Sequence, residues 1–266
     1  MSKTEVTTQE NKELAVHRKG NWGAGKHVDA ADILIPKILC AQAISEAVTR
    51  DEVKLGEFYD SVEKQVLATF DRKNEAKTQD LEIIIFGTFK HWVINHDDEY
   101  HETIPFQPTV YDKDGAVKIQ GNDQWAYEET VDKVEIQRDN VINFYCVLPQ
   151  EIKEDPDFAF PYVLPLKRTS RKAGQKIATR LRKLEARNRP SACQVFKLSR
   201  KIEMNKQKKE YFVIDAMISR DATDAEMAVA YKWWDALDKK KVNVKIDDSD
   251  YREDGNNATV NASSDF

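Results

Sequence analysis

The apolar positions change their period along the chain, and the changes mark its parts. Residues 1–28 show no apolar period and read as a flexible N-terminal arm. Ile33 to Ile44 (ILIPKILCAQAI) is apolar enough for a strand, with Pro36 at an edge or bend. Gly56 to Thr69 suggests a second strand and its turn. Leu81 to Asn95 (LEIIIFGTFKHWVIN) carries the strongest strand signal, with Gly87 bending it or permitting a bulge. His96 to Glu102 reads as a loop, Val131 to Leu148 as a strand or pair of strands, and Tyr162 to Leu166 as a short strand. The period then turns helical: Ala173, Ile177, Leu181 and Leu184 follow at four, four and three, and Asn188-Arg189-Pro190 ends the segment. Thr169 or Ser170 can cap it, and Gly174 costs it roughly 1 kcal/mol. Gln194–Met204 and Tyr211–Ser219 alternate as a long hairpin with one apolar and one basic side. Thr223 and Glu226 form a capping box for a helix through Asp238, whose Met227, Ala230, Tyr231, Trp234 and Leu237 read as a core stripe. The expected fold class is mainly β with helices (α+β). The body spans 29–246, and an acidic disordered tail spans 247–266.

Charge sharpens this picture. The chain carries a net −5, yet Lys167–Arg189 holds ten Lys or Arg against one acid, Glu185. The longer block 167–209 has 16 basic and two acidic residues, so a chain that is acidic overall concentrates its cations in one place. On the helix, Lys172, Lys176, Arg180, Lys183 and Arg187 form a stripe beside the apolar one. A solvated helix face usually mixes signs. A face lacking acids suits an anion, and phosphate backbones are the commonest intracellular partner of that kind. Arg168, Arg171, Lys197, Arg200 and Lys201 would extend the path. Aromatic residues on or beside the strands, Phe58, Tyr59, Trp92, Trp125 and Tyr127, are candidates for stacking on bases, with Lys90 next to Trp92. In adjacent pairs such as Phe58-Tyr59 a strand sends one ring inward and one outward.

Other chemistries find little support. Cys40, Cys146 and Cys193 are isolated and read as buried thiols, so neither a disulfide framework nor a zinc site is expected. His91, His96 and His101 are spaced by five and match no standard ligand motif. Gly20 to Lys26 fits the phosphate-loop spacing, but His27 stands where that loop needs Ser or Thr. With no catalytic motif in evidence, neither an enzyme nor a cofactor or metal is expected. No apolar run approaches the ~20 residues of a membrane helix, and the N-terminus lacks a secretory apolar core, so a cytoplasmic protein without a membrane partner is expected.

The tail adds a family resemblance. It carries Asp247, Asp248, Asp250, Glu253 and Asp254 and ends in Asp265-Phe266. A β-rich body with a basic groove and an acidic tail of this kind resembles the single-stranded DNA-binding proteins of tailed phages. The resemblance implies an OB-fold barrel, here an elaborated one, and the host cell cytoplasm as location. It also implies that Asp265 and Phe266 recruit a replication partner, namely a polymerase, helicase or nuclease. The function expected is non-sequence-specific binding of single-stranded DNA in phage replication or recombination. The alternatives are an adaptor or transcription cofactor that binds an acidic protein, and a metal-dependent nuclease using Asp80, Glu82, Asp112 and Asp114. Strand annealing and a homodimer stay open.

Overall fold

Leu81 to Phe86 is apolar at every position but Glu82, because its strand is covered on both faces. The computed structural model describes residues 34–239, apart from 97–99, 106–108, 112–116, 121–124 and 130–134, and for 92–139 it describes the backbone alone. Twelve strands are described: β1 (Ile38–Cys40), β2 (Phe58–Asp60), β3 (Val66–Ala68), β4 (Leu81–His96), β5 (Tyr100–Pro105), β6 (Thr109–Tyr111), β7 (Val117–Gln120), β8 (Trp125–Glu129), β9 (Glu135–Val147), β10 (Tyr162–Leu166), β11 (Gln194–Met204) and β12 (Glu210–Asp221). The described helices are α1 (Glu46–Thr49), α2 (Pro149–Glu154), α3 (Arg171–Glu185) and α4 (Asp224–Asp238).

The strands form a central sheet in the order β10-β9-β4-β11-β12, which β5 and β8 extend by pairing with β4 and β9. A three-stranded sheet β1-β2-β3 and the hairpin β6-β7 stand apart from it. All these pairings are antiparallel, so the fold is α+β. One face of the central sheet sends Ile83, Ile85, Phe144, Leu164 and Phe196 against α3 and the small sheet. The other sends Ile84, Phe86, Val147 and Val195 against α2 and α4. An antiparallel sheet usually leaves one face to water. Covering both makes the strand's sequence a continuous apolar run.

The small sheet reaches both edges of the central one. At β10 the contact is through backbone: Lys37 bridges Val163, whose N–H donates to Pro36 O at 2.9 Å. At β12 it is a side chain. The Gln42 amide donates to Phe212 O at 3.0 Å and accepts from Phe212 N at 2.9 Å. No ladder joins these two segments among the described residues, so the circuit stays open there and no sheet closes into a barrel.

Several local expectations meet their structures here. Gly87 follows a register shift in the β4–β9 ladder, as a bulge requires. Thr223 and Glu226 form the reciprocal cap of α4. The three cysteines are buried thiols, as expected. The stretch 56–69 holds two short strands instead of one, and the expected loop at His96–Glu102 gives way to β5 from Tyr100. The N-terminal arm 1–28 and the tail 247–266 lie outside the described residues. No helix among the described residues is long and apolar enough to cross a membrane.

Gly174 explains its place in a helix by close approach, since a Cβ there would stand 3.2 Å from Leu166 Cβ. Gly56 is under harder constraint. Its φ is +84°, and an added Cβ would meet Phe70 at 2.7 Å and Phe212 at 2.9 Å. Gly56→Ala combines backbone strain with overpacking and is expected to cost about 2–4 kcal/mol, read as a lower urea midpoint. A midpoint equal to that of the parent would refute the tight packing described.

His91 is 3% exposed, and its Nδ1 accepts from Asn143 Nδ2 at 2.7 Å. Burial, followed by the charges of Lys37 and Lys167, lowers its pKa from 6.5 to about 4. The unfolded chain therefore takes up this proton first as pH falls. Stability contributed by neutral His91 is full above pH 6.5, declines between 6.5 and 4, and levels off below. The decline is on the order of 3 kcal/mol. Urea midpoints at pH 7, 5 and 4 should fall more steeply in the parent than in His91→Gln, and parallel curves would contradict the assignment.

Candidate nucleic-acid interface

Helix α3 buries Ala173, Gly174, Ile177 and Leu184 and packs Leu181 against the core, which is the apolar stripe expected from its spacing. The neighbouring cations divide into three groups. Lys172, Lys183 and Arg187 are exposed and pair with no acid among the described residues. Lys176 and Lys201 both bind Asp215, whose carboxyl these two hydrogen bonds hold well below the usual carboxylate range. Lys176, Lys201 and Asp215 together leave one positive charge. Arg180 donates to Gln194 Oε1 at 2.7 Å, and Lys197 lies 3.3 Å from Asp80. Lys90 is exposed on β4.

Arg200 departs from the expectation. It lies on the face of β11 turned toward the small sheet and is half-buried. Its guanidinium donates to the carbonyls of Gly56 at 2.8 Å, Thr69 at 3.2 Å and Ala68 at 3.4 Å, and also to Gln79 O. It stacks 4.3 Å from the centre of the Phe58 ring. Burial pulls its pKa downward. A guanidinium so engaged holds the small sheet to the large one, and its remaining Nε–H is buried and not offered to a phosphate.

Phe58 and Tyr59 are corrected for a related reason. Their rings do point to opposite faces of β2, but both are 0% exposed. Phe58 enters the main core, and Tyr59 enters a small cluster with Leu39, Ala41, Ala47 and Val53. Neither can stack on a base. Trp92 and Trp125 lie on β4 and β8, and Tyr127 on β8, but their side chains are outside the described residues, as are Asp265 and Phe266. Of the acids considered for a nuclease, Asp80 pairs with Lys197 and Glu82 with Arg220, while Asp112 and Asp114 fall outside the described residues.

At the N-terminal end of α3 opens a cleft of about 450 Å³, within the usual size of ligand sites. Its walls come from three distant segments: Ile38–Ile44, Pro165–Ser170 and the end of the β11–β12 hairpin. Lys167, Arg168 and Lys209 line it, together with the half-buried Tyr211. Its one lining acid, Glu210, is engaged by Arg72 in a two-pronged pair at 2.7 and 2.9 Å. Arg168 has φ +48°, a left-handed conformation that costs a non-glycine residue roughly 1–3 kcal/mol. The first turn of α3 carries no acid. Arg171 and Lys172 stand there, at the helix's own positive end.

Three rings that sequence reasoning did not nominate belong in this account. Tyr211 follows the lysine-rich hairpin turn, and the run KQKKEY was the available signal. Tyr231 and Trp234, expected in the core, are 63% and 43% exposed. Ala230 and Leu237 of the expected stripe do face the core, where Val229 and Trp233 join them in place of Tyr231 and Trp234. Tyr231 and Trp234 lie 5.6 Å apart beside an apolar groove of about 600 Å³, on the face of the central sheet opposite α3.

No curated protein and no solved structure matches this chain. One family model does match, over residues 7–243, and that span includes every cation and ring placed above. The chain therefore belongs to the Pam3 phage gp34-like protein family, a family of phage proteins.

Proposed function

We propose that the chain is a non-sequence-specific single-stranded DNA-binding protein of phage replication or recombination. The observation that carries this reading is the first turn of α3. Cations gather at the positive end of a helix whose own first turn carries no acid, beside an apolar cleft lined by an aromatic ring. A phosphate chain laid there would meet several cations and the helix's positive end together. Lys172, Lys183 and Arg187 carry the backbone along α3, and Arg168, Arg171 and Lys209 carry it at the cleft. Lys176, Arg180, Lys197 and Lys201 contribute to the field, tempered by the partners they already hold. The OB-type fold belongs to this proposal in one form: a barrel in which the Gln42 amide replaces a ladder at one seam. Recruitment of a replication protein by Asp265 and Phe266 is its second half.

The test is a titration of labelled oligo-dT, duplex DNA, RNA and polyglutamate at two salt concentrations. Tight binding of oligo-dT that weakens steeply with salt is expected. A flat salt response overturns the phosphate path, and equal or tighter binding of polyglutamate favours an acidic protein as the partner.

A further inference from the structure

We infer that the cleft at the start of α3 receives one unstacked base of the bound strand, whatever that base is. The inference rests on the single-stranded DNA reading and adds a place to it.

The cleft differs from an incidental gap because each of its walls is fastened. The Gln42 amide ties the segment after β1 to Phe212 on β12 through two hydrogen bonds. Ser170 Oγ accepts from Ile214 N at 3.2 Å and ties the start of α3 to the same strand. Asn205 Oδ1 accepts from Gln207 N at 2.9 Å and Lys209 N at 2.8 Å and shapes the hairpin end. A hollow held open in this way costs little to fill. Its inner surface is largely apolar, with Ile38, Ile44, Tyr211 and Ile214 around it and cations at its rim. A flat ring carrying a charged backbone at one edge matches that division: the ring leaves water, and its phosphate meets Arg168 or Lys209.

The same hydrogen bonds explain the lack of sequence preference. The Gln42 amide, at the inner wall, is engaged with the backbone N–H and C=O of Phe212, and Asn205 Oδ1 accepts from two backbone N–H groups. That leaves the exposed Gln207 at the hairpin end as a lining amide whose side chain makes no hydrogen bond among the described residues. A base is held chiefly by its faces, which every base has, and the fixed inner wall reads little of its hydrogen-bonding edge.

The experiment compares oligo-dT and oligo-dC with an abasic deoxyribose-phosphate chain of equal length, for the parent and for Ile44→Asn combined with Tyr211→Leu. Both positions are at least partly exposed and neither carries formal charge, and a melting curve checks the fold of the variant. The parent should bind the two base-bearing strands alike and more tightly than the abasic chain, by about tenfold. The variant should lose that margin and keep its affinity for the abasic chain. A parent that binds abasic and base-bearing strands equally overturns the base site while the DNA reading stands. Equal losses on all strands overturn it too. If no strand binds in a salt-dependent way, the DNA reading falls and the base site falls with it.

Discussion

Alanine at Lys172, Lys183 and Arg187 together is expected to flatten the salt dependence of oligo-dT binding and to leave the melting temperature near that of the parent. These three side chains are exposed and pair with no acid among the described residues, so removing them breaks no internal contact shown there. For a single strand the slope of log K against log salt changes by about 0.7 for each phosphate contact. Losing three contacts should reduce the slope by about 2. Between 1 M and 0.1 M salt that amounts to a loss on the order of a hundredfold at the lower concentration. The same substitution at Lys176 and Lys201 should do less, because Asp215 already offsets one of their two charges. An unchanged slope in the triple variant would remove α3 from the interface.

Arg200→Ala is expected to act in the opposite way, on stability and not on DNA. It strands the carbonyls of Gly56, Ala68, Thr69 and Gln79 at the seam between the two sheets. It also uncovers the Phe58 ring. Hydrogen bonds from a charged donor are worth about 1.5–3 kcal/mol each, and abandoned carbonyls regain part of that from water. A net loss of about 3–5 kcal/mol is reasonable, which for a body of this size lowers the melting temperature by about 10 °C. Arg200→Lys should recover little, since an ammonium lacks the fork that reaches several carbonyls at once. Affinity for oligo-dT, measured well below the melting temperature, should equal that of the parent. Weak DNA binding by a folded Arg200→Ala protein would return Arg200 to the interface.

These two cases mark the reach of the sequence. The position of α3 was legible because its two stripes obey one local period, and local spacing is what a sequence records directly. The β11–β12 hairpin and the cap of α4 were legible for the same reason. Arg200 was not. Its charge resembles that of Lys201, and what separates them is the arrival of carbonyls from residues 121 to 144 positions away. Phe58 and Tyr59 alternate as a strand should, but the cluster that covers the outer ring is built by a different segment. The cleft was hidden because its walls lie far apart in the chain, and nothing in any one of them shows that it faces a hollow. In α4 the expected stripe holds at Ala230 and Leu237 and fails at Tyr231 and Trp234, since Trp233 and Trp234 are both large and only packing chooses between them.

The seam held by Gln42 and Arg200 also sets an order of events in folding. Both contacts join the beginning of the body to its last strands, across 170 residues for Gln42 and Phe212 and 144 for Arg200 and Gly56. Pairings so distant in sequence are slow to form. On a ribosome, β1, β2 and β3 emerge long before the hairpin that anchors them, and they wait with their apolar faces uncovered. A transient helper that shields these strands, or a low growth temperature, should raise the yield of folded protein more than it improves the melting temperature of what is recovered.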